Sequence, residues 1–404
     1  MRFIEFLRKE TKEKPIQSNQ VYFAGQQMNQ EATGKYIDIA KEGYMGNPLV
    51  RAIFNKQGDI FAGLPIILEK RSKDGWEEVT DHKIINLLKE PNDNQTGRQF
   101  LKDMFIYYRL AGYCYVKKMR SSENKPPVML YNIVPNAYTP IAGSISGDVV
   151  AFTVEADQSR ITKKEVIYIK SFNPLYAEQA TSAVQSAGIL IDTYNAMMKW
   201  NLGLMQNAGV PSILIKSQQK LQEEQKDSIL KKFSRDHAGW KNSGKPIIQD
   251  GSNFEVSVLG IKPTEAQFLE SMQELWRQIC VALDMPPEIM GSEKGTTFNN
   301  RDAAMKDVYM NLILPIAEII LGTLNMQLVK EFEPNGNYRL SIDKAQIEAL
   351  HESQDAIWKR SQDAFNTGLL NVQEARDEMG FGSENVPHAE TFFMPSNKIP
   401  LENV

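Results

Sequence analysis

Cysteine is nearly missing from this sequence: Cys114 and Cys280 are the only two, and they lie far apart. A disulfide framework is excluded as the basis of the fold, and a reducing compartment suits the chain. Histidine is also scarce, with His82, His237, His351 and His388 scattered along the chain. No His/Cys group has metal-ligand spacing, so neither a metal nor any other cofactor is expected. Positive charge is not in excess: 46 Lys and Arg stand against 50 Asp and Glu, a formal net charge of -4. That balance argues against a tight phosphate-gripping nucleic-acid binder, but not against a protein that surrounds DNA without holding it. No unbroken apolar run of transmembrane length is evident. The most apolar window, Leu312 to Leu328, is interrupted by Pro315, Glu318, Asn325 and Gln327. The opening stretch MRFIEFLRKETKEKP does not read as a signal peptide, because Glu5, Arg8 and Lys9 break its apolar part. The expectation is a soluble chain made in a cytoplasm, with no membrane partner.

Signs of catalysis are equally thin. Gly239-Trp-Lys-Asn-Ser-Gly-Lys245 matches the start of a phosphate-binding loop, but Pro246 stands where Ser or Thr must hold magnesium. A helix is expected before it and β-like Ile247-Ile248 after it, the reverse of the required order. Its plain reading is a loop in which Gly244 supplies the turn. The carboxylate pairs Glu77-Glu78 and Glu223-Glu224 are adjacent residues, which do not face one another on a helix or strand. They read as solvated surface charge. No Gly-x-Ser-x-Gly elbow occurs. Trp276 and Cys280, one helical turn apart, read as packing. No catalytic residue is expected.

What the chain does contain is a folded protein's composition, 42% hydrophobic and 24% charged. Residues 1–35 are polar and read as a loosely ordered arm. A helix is expected from Asn47 to about Phe61, then a strand-turn-strand in LPIILEKRSKDGWEEV, a short helix at His82–Leu88, a further helix at Phe100–Leu110, and a strand-rich stretch. The stretch comprises GYCYVKKMR, VMLYNIVP, YTPIAG, VVAFTVEA and EVIYIKSF, the pattern of an antiparallel α+β body. Thr181 to Asn207 predicts a long helix with Val184, Ala187, Ile191, Tyr194, Met198 and Leu202 on one stripe. A second long helix starts after Thr264, with Phe268, Met272, Leu275, Ile279 and Leu283 on its stripe, and stops at Pro286-Pro287. Between them lies a small β-α-β-β unit: PSILIK, a charged helix, KPIIQD and FEVSVLG. A third long helix is expected over Asn300–Lys330, kinked at Pro315. A strand NYRLSID and a helical C-terminal region follow.

Several of these stretches together resemble one family, the portal proteins of long-tailed bacteriophages. LLKEPNDNQTGRQF resembles its helix-Pro-Asn-x-x-x-Thr-x-x-x-Phe segment. AGYCYV is similar to its Gly-Asn-Ala-Tyr-Val strand, YNIVP to Leu-x-Pro-Leu-x-Pro, and EVIYIK to Asp-Val-Ile-His. Asn207-Ala208-Gly209 with PSILI resembles Asn-Gly-Ala-x-Pro-x-Gly-Val-Leu. Met285-Pro-Pro-Glu-Ile-Met-Gly291, then Thr297-Phe-Asn-Asn300, resembles Val-Pro-Pro-x-Leu-Leu-Gly and Thr-Tyr-Ser-Asn. GLLNVQEARDEMG resembles Gly-x-Leu-Thr-x-Asn-Glu-x-Arg-x-x-x-Gly. Asn173-Pro174-Leu175 departs from the usual Gly-x-Ser-Pro-Leu. The match runs from about residue 45 to 382, and the order and spacing of the motifs make it specific.

The resemblance implies a non-enzymatic α+β portal fold with wing, long-helix stem, small α/β clip insertion and helical crown. Its regions would be a wing at 36–177 and 299–344, stem helices at 178–208 and 263–285, a clip at 209–262, a tunnel loop at 286–298, and a crown and tail at 345–404. It implies a homo-oligomeric ring, a dodecamer, at a capsid vertex of the virion, assembled in the host cytoplasm. The partners implied are the terminase large subunit, the head-tail adaptor, the major capsid protein and double-stranded DNA without sequence specificity. Ser292, Glu293, Lys294, Gly295, Thr296 and Thr297 are the candidates to face DNA. Lys220, Glu223, Lys231, Lys232 and Arg235 are the candidates to dock the motor. The alternatives are another connector of a phage-like particle, or a nucleotide-dependent DNA-processing enzyme using Lys245.

Overall fold

The computed structural model describes residues 36–73, 75–143, 148–175, 179–206, 213–217, 222–228, 231, 254–258, 265–291, 298–351, 354–381 and 389–393. The chain forms two compact units, Met1–Ile342 and Asp343–Val404.

The first unit is built on two helices with strong start signals. Asn47 caps the Pro48–Ala62 helix, its side chain accepting from the backbone N–H groups of Leu49 and Val50 at 3.0 Å each. Pro48 fills the first helical position, where its missing N–H costs nothing. The Gly97–Ala111 helix opens with a reciprocal cap between Thr96 and Gln99. The two helices pack face to face, with Phe61 and Phe105 stacked at 4.9 Å. Thr96 and Phe100 are motif positions, and so is Asn92, which donates to the Leu130 carbonyl at 2.7 Å and accepts from Asn94 N–H. The Pro-Asn-x-x-x-Thr-x-x-x-Phe pattern is thus a strand contact, a turn, a helix cap and a core residue in succession.

Among the described residues, all paired strands are antiparallel. β1 (Ile66–Arg71) and β2 (Trp76–Val79) make a hairpin. β3 (Tyr113–Met119) is flanked by β4 (Met129–Ile133) and by a later strand, β8. β5 (Tyr138–Ala142), β6 (Val149–Val154) and β7 (Arg160–Thr162) form their own sheet, and β8 is Val166–Lys170. β7 is a strand that the alternation pattern did not predict. The sheets of β3 and β6 share a core of Tyr115, Tyr138, Val149, Phe152 and Val166. Tyr115 stacks on Tyr168 at 5.1 Å and meets Phe152 edge-on at 5.5 Å. β9 (Ile213–Ser217) and β10 (Phe254–Val258) pair with each other, and β11 (Tyr338–Ile342) returns to β1, setting Leu340 opposite Leu68.

The expected third long helix is continuous from Phe298 to Phe332. Pro315 is absorbed by a wider π turn, Tyr309–Ile313, immediately before it. The Pro ring would clash with the carbonyl one turn back, and the wider turn makes room. This helix reaches an apolar length that the interrupted window Leu312 to Leu328 does not suggest. Asn300–Phe332 is long and apolar enough to cross a membrane by length and composition, because charges are sparse even though polar residues interrupt it. Yet 56% of its most apolar window is buried inside the protein, as in a core helix. The interrupting amides have sheet partners. Asn325 exchanges hydrogen bonds with the Leu340 backbone of β11, accepting at 2.7 Å and donating at 3.0 Å. Gln327 accepts from Tyr168 N–H of β8 at 3.1 Å. Residues two apart on a helix point to opposite sides, so this one turn satisfies the open edges of two different sheets.

In the second unit, the Gln354–Asn366 and Val372–Glu378 helices are joined through Gly368 in the left-handed conformation. Asn371 and Glu374 cap each other reciprocally, and Gly380 closes the second helix at φ +80. Those are the fixed positions of GLLNVQEARDEMG.

Candidate stem, clip and channel residues

The first long helix begins later than its periodicity suggests. Ser182, not Thr181, is the cap, followed by a short Ala183–Ser186 turn and the Gly188–Gln206 helix. Ser182 Oγ also donates to the Leu110 carbonyl at 2.6 Å, and Ser171 Oγ donates to the Thr181 carbonyl at 2.8 Å. These bonds fix the entry where the Asn173-Pro174-Leu175 departure lies. Gly112 makes the close approach possible: it sits at φ +84, directly against the Thr181 backbone.

The apolar stripe is buried only at its base. Val184, Ala187 and Ile191 are in the core, whereas Met198 and Leu202 are exposed. The stripe of the Glu265–Ala282 helix shows the same gradient, half-buried at Phe268, Met272 and Leu275 and buried at Ile279 and, just past the helix, at Leu283. The two helices touch each other, Trp200 lying 5.2 Å from Phe268. Between them in sequence lies the β9–β10 pair.

The candidate motor-docking residues fall unevenly. Glu223 and Lys231 are exposed on helical backbone, and Glu223 forms an ion pair with Lys226. Lys220, Lys232 and Arg235 lie outside the described residues, as do Ser292, Glu293, Lys294, Gly295, Thr296 and Thr297. So do the Gly239–Lys245 stretch and the expected strand KPIIQD. The backbone flanking the candidate channel segment is described: Gly291 takes φ +86, and a helix starts at Phe298.

Glu77 and Glu78 are exposed on β2, opposite Lys70 and Glu69. Cys280 is buried, which pushes its thiol up to about 12, far from a reactive thiolate. Among the described residues, no group of His, Cys, Asp and Glu is arranged to hold a metal ion.

Two charged clusters escaped the sequence reading. Lys118 Nζ on β3 donates to the Gln327 carbonyl at 3.0 Å and to Glu331 Oε1 at 2.8 Å, and Arg120 grips the same carboxylate. Arg109 lies in the core beside Asp284. Each had a signal: Lys118 alternates with buried Cys114 and Val116, and Arg109 continues the Leu101–Phe105 side of its helix. A charge on a buried face implies a partner, but the pattern does not say which.

The described residues thus define a structural body, antiparallel sheets wrapped by helices, from which two long helices carry a small strand pair. Residues 50–380 match the phage portal protein family. The chain belongs to that family, a structural, non-enzymatic class. It is 25% identical over 359 residues to an uncharacterized protein of Rickettsia bellii, covering 86% of this chain and 89% of that one. It is similar in fold to a chain in the neck of an empty gene transfer agent particle, with TM-score 0.62 and 24% identity over 85% of this chain and 93% of that one. The neck of the native particle, computed with C12 symmetry, holds a similar chain at TM-score 0.60 and 23% identity, with the same coverage. An HK97-family phage portal protein from Corynebacterium diphtheriae matches at TM-score 0.58 and 13% identity, covering 80% of this chain and 99% of that one.

Proposed function

We propose that this chain is the ring-forming subunit of a portal in a phage or gene transfer agent particle. The ring provides the channel through which double-stranded DNA is packaged and ejected. The observation that carries the reading is the helix pair around Trp200 and Phe268, with the β9–β10 strands inserted between the two helices. It corresponds to a stem at 178–208 and 263–285 and a clip at 209–262. The family match over residues 50–380 supports it. The exposed apolar residues Ile189, Leu202, Leu269 and Val281 on those helices support a ring, since neighbouring copies would cover them. The C12 symmetry of the similar neck supports twelve copies. On this reading 36–177 and 299–344 form the wing, 286–298 the tunnel loop, and 345–404 the crown. The clip docks the terminase large subunit and then the head-tail adaptor, while the rim meets the major capsid protein.

A channel that passes every sequence gains nothing from base readout, and tight phosphate contacts would stall movement. A net charge of -4 per subunit keeps the ring from gripping DNA. Lys294 is the proposed transient phosphate contact. Single-particle imaging of the purified chain should show closed rings with a duplex-wide channel. Lys294→Glu should leave those rings intact and alter the DNA retained in particles. A monomer at every concentration, even beside its capsid partner, would overturn the ring reading. Unchanged packaged-DNA yield and retention in the variant would remove Lys294 from the channel.

A further inference from the structure

The end of the Glu265–Ala282 helix is held from outside. The last carbonyls of a helix have no intrahelical donors and carry partial negative charge. Here the Leu283 carbonyl receives two side-chain donors from distant helices: Gln57 Nε2 at 2.7 Å and Arg109 Nη2 at 3.0 Å. The same Arg109 nitrogen reaches Asp284 Oδ2 at 3.0 Å. Gln57 is fully buried and Arg109 nearly so, with the guanidinium 5.9 Å from the centre of the Phe54 ring.

Two features indicate that this arrangement is kept for position. Asp284 is held at φ +56, a left-handed conformation that costs a residue with a side chain free energy. Gln57 Oε1 and Arg109 Nε are both buried with no protein partner, a burden that an apolar contact would avoid. The backbone is directed sharply by the result. Met285 N–H returns to the Cys280 carbonyl at 2.8 Å, and Met285 and Ile289 are packed into the core. At Gly291 the backbone takes φ +86, and an added Cβ there would meet nothing within 4 Å.

We propose that Gln57 and Arg109 form a latch that fixes where the chain leaves this helix, so that residues 283–290 are held to the helices that carry Gln57 and Arg109. The latch does not depend on the portal reading above.

The test is hydrogen-deuterium exchange on the purified full chain, comparing wild type with Gln57→Met and Arg109→Lys. Gln57→Met keeps the side-chain length, removes the donor and removes the orphaned acceptor. It should raise exchange at Asp284 and Met285 about tenfold, while the melting temperature holds or rises and exchange in Tyr113–Met119 stays unchanged. Arg109→Lys keeps the charge but loses the guanidinium geometry, and should open the same residues. The two effects should combine to less than their product, because both donors share one carbonyl. If Arg109→Lys does not fold, Gln57→Met alone decides. Exchange at 283–290 that is unchanged, or that rises only in step with the whole unit, would overturn the latch. Wild-type rings with no local effect of Gln57→Met would sink the latch and leave the portal reading. A local effect in a chain that never forms rings would do the reverse.

Discussion

Gly112→Ala is expected to destabilise the first unit by about 3–5 kcal/mol, enough to cost soluble protein. Two costs add. Gly112 ends the Gly97–Ala111 helix at φ +84 and turns the chain straight into β3. An L-residue held there costs about 1–2 kcal/mol. An added Cβ would also lie 2.6 Å from both the carbonyl carbon and the oxygen of Thr181, and backbone cannot swing aside as a flexible side chain does. The collision falls where Ser182 caps the next helix and Ser171 N–H reaches the Gly112 carbonyl at 2.7 Å, so relief would disturb the entry to the stem helix. Gly336→Ala is the control. It too has positive φ, at +69, but an added Cβ would meet nothing within 4 Å, so it should cost only about 1 kcal/mol. Urea denaturation of both variants separates conformational cost from collision. Equal losses would mean that the Thr181 contact relaxes freely.

Glu331→Gln is expected to cost about 3 kcal/mol, the lower end of what removing one partner from a buried pair costs. The Lys118 side chain is 2% exposed, and Glu331 is its counter-charge. Burial lowers the Lys118 pKa, with Glu331 acting against that shift. For Glu331, burial works against ionisation, but the hydrogen bonds and charges of Arg120 and Lys118 outweigh it and hold the pKa below the ordinary carboxylate value. The sign follows: stability from Glu331 is present above about pH 4.3, its unfolded value, and is lost as pH falls through the lower folded value. The wild type should therefore lose stability on acidification below about pH 4 more steeply than Glu331→Gln. Thermal melts of both proteins between neutral and acid pH read this directly. Parallel acid limbs would mean that the carboxylate is not held by its partners. Lys118→Met together with Glu331→Leu should recover much of the loss, because an apolar pair leaves no buried charge behind.

Local chemistry wrote much of this protein into its sequence. The Asn47-Pro48 start and the alternating strands are short-range signals, and each has its element in the structure, whereas the helix expected from Phe100 starts at Gly97, because Thr96 and Gln99 cap each other there. The ordered motifs led to the portal family for the same reason, since each marks a cap, a turn or a core position at a set spacing.

The tertiary structure decided the partners. Leu340 stands opposite Leu68 in one sheet. Lys118 meets Glu331 across 213 positions, and Gln57 meets Leu283 across 226. Asn325 and Gln327, read in sequence only as breaks in an apolar run, turned out to close two sheet edges. Periodicity reports which face of an element is buried, because that depends on neighbours three or four residues away. It carries no record of which distant element covers that face. That choice is made when the whole chain closes and each buried polar group must find its partner.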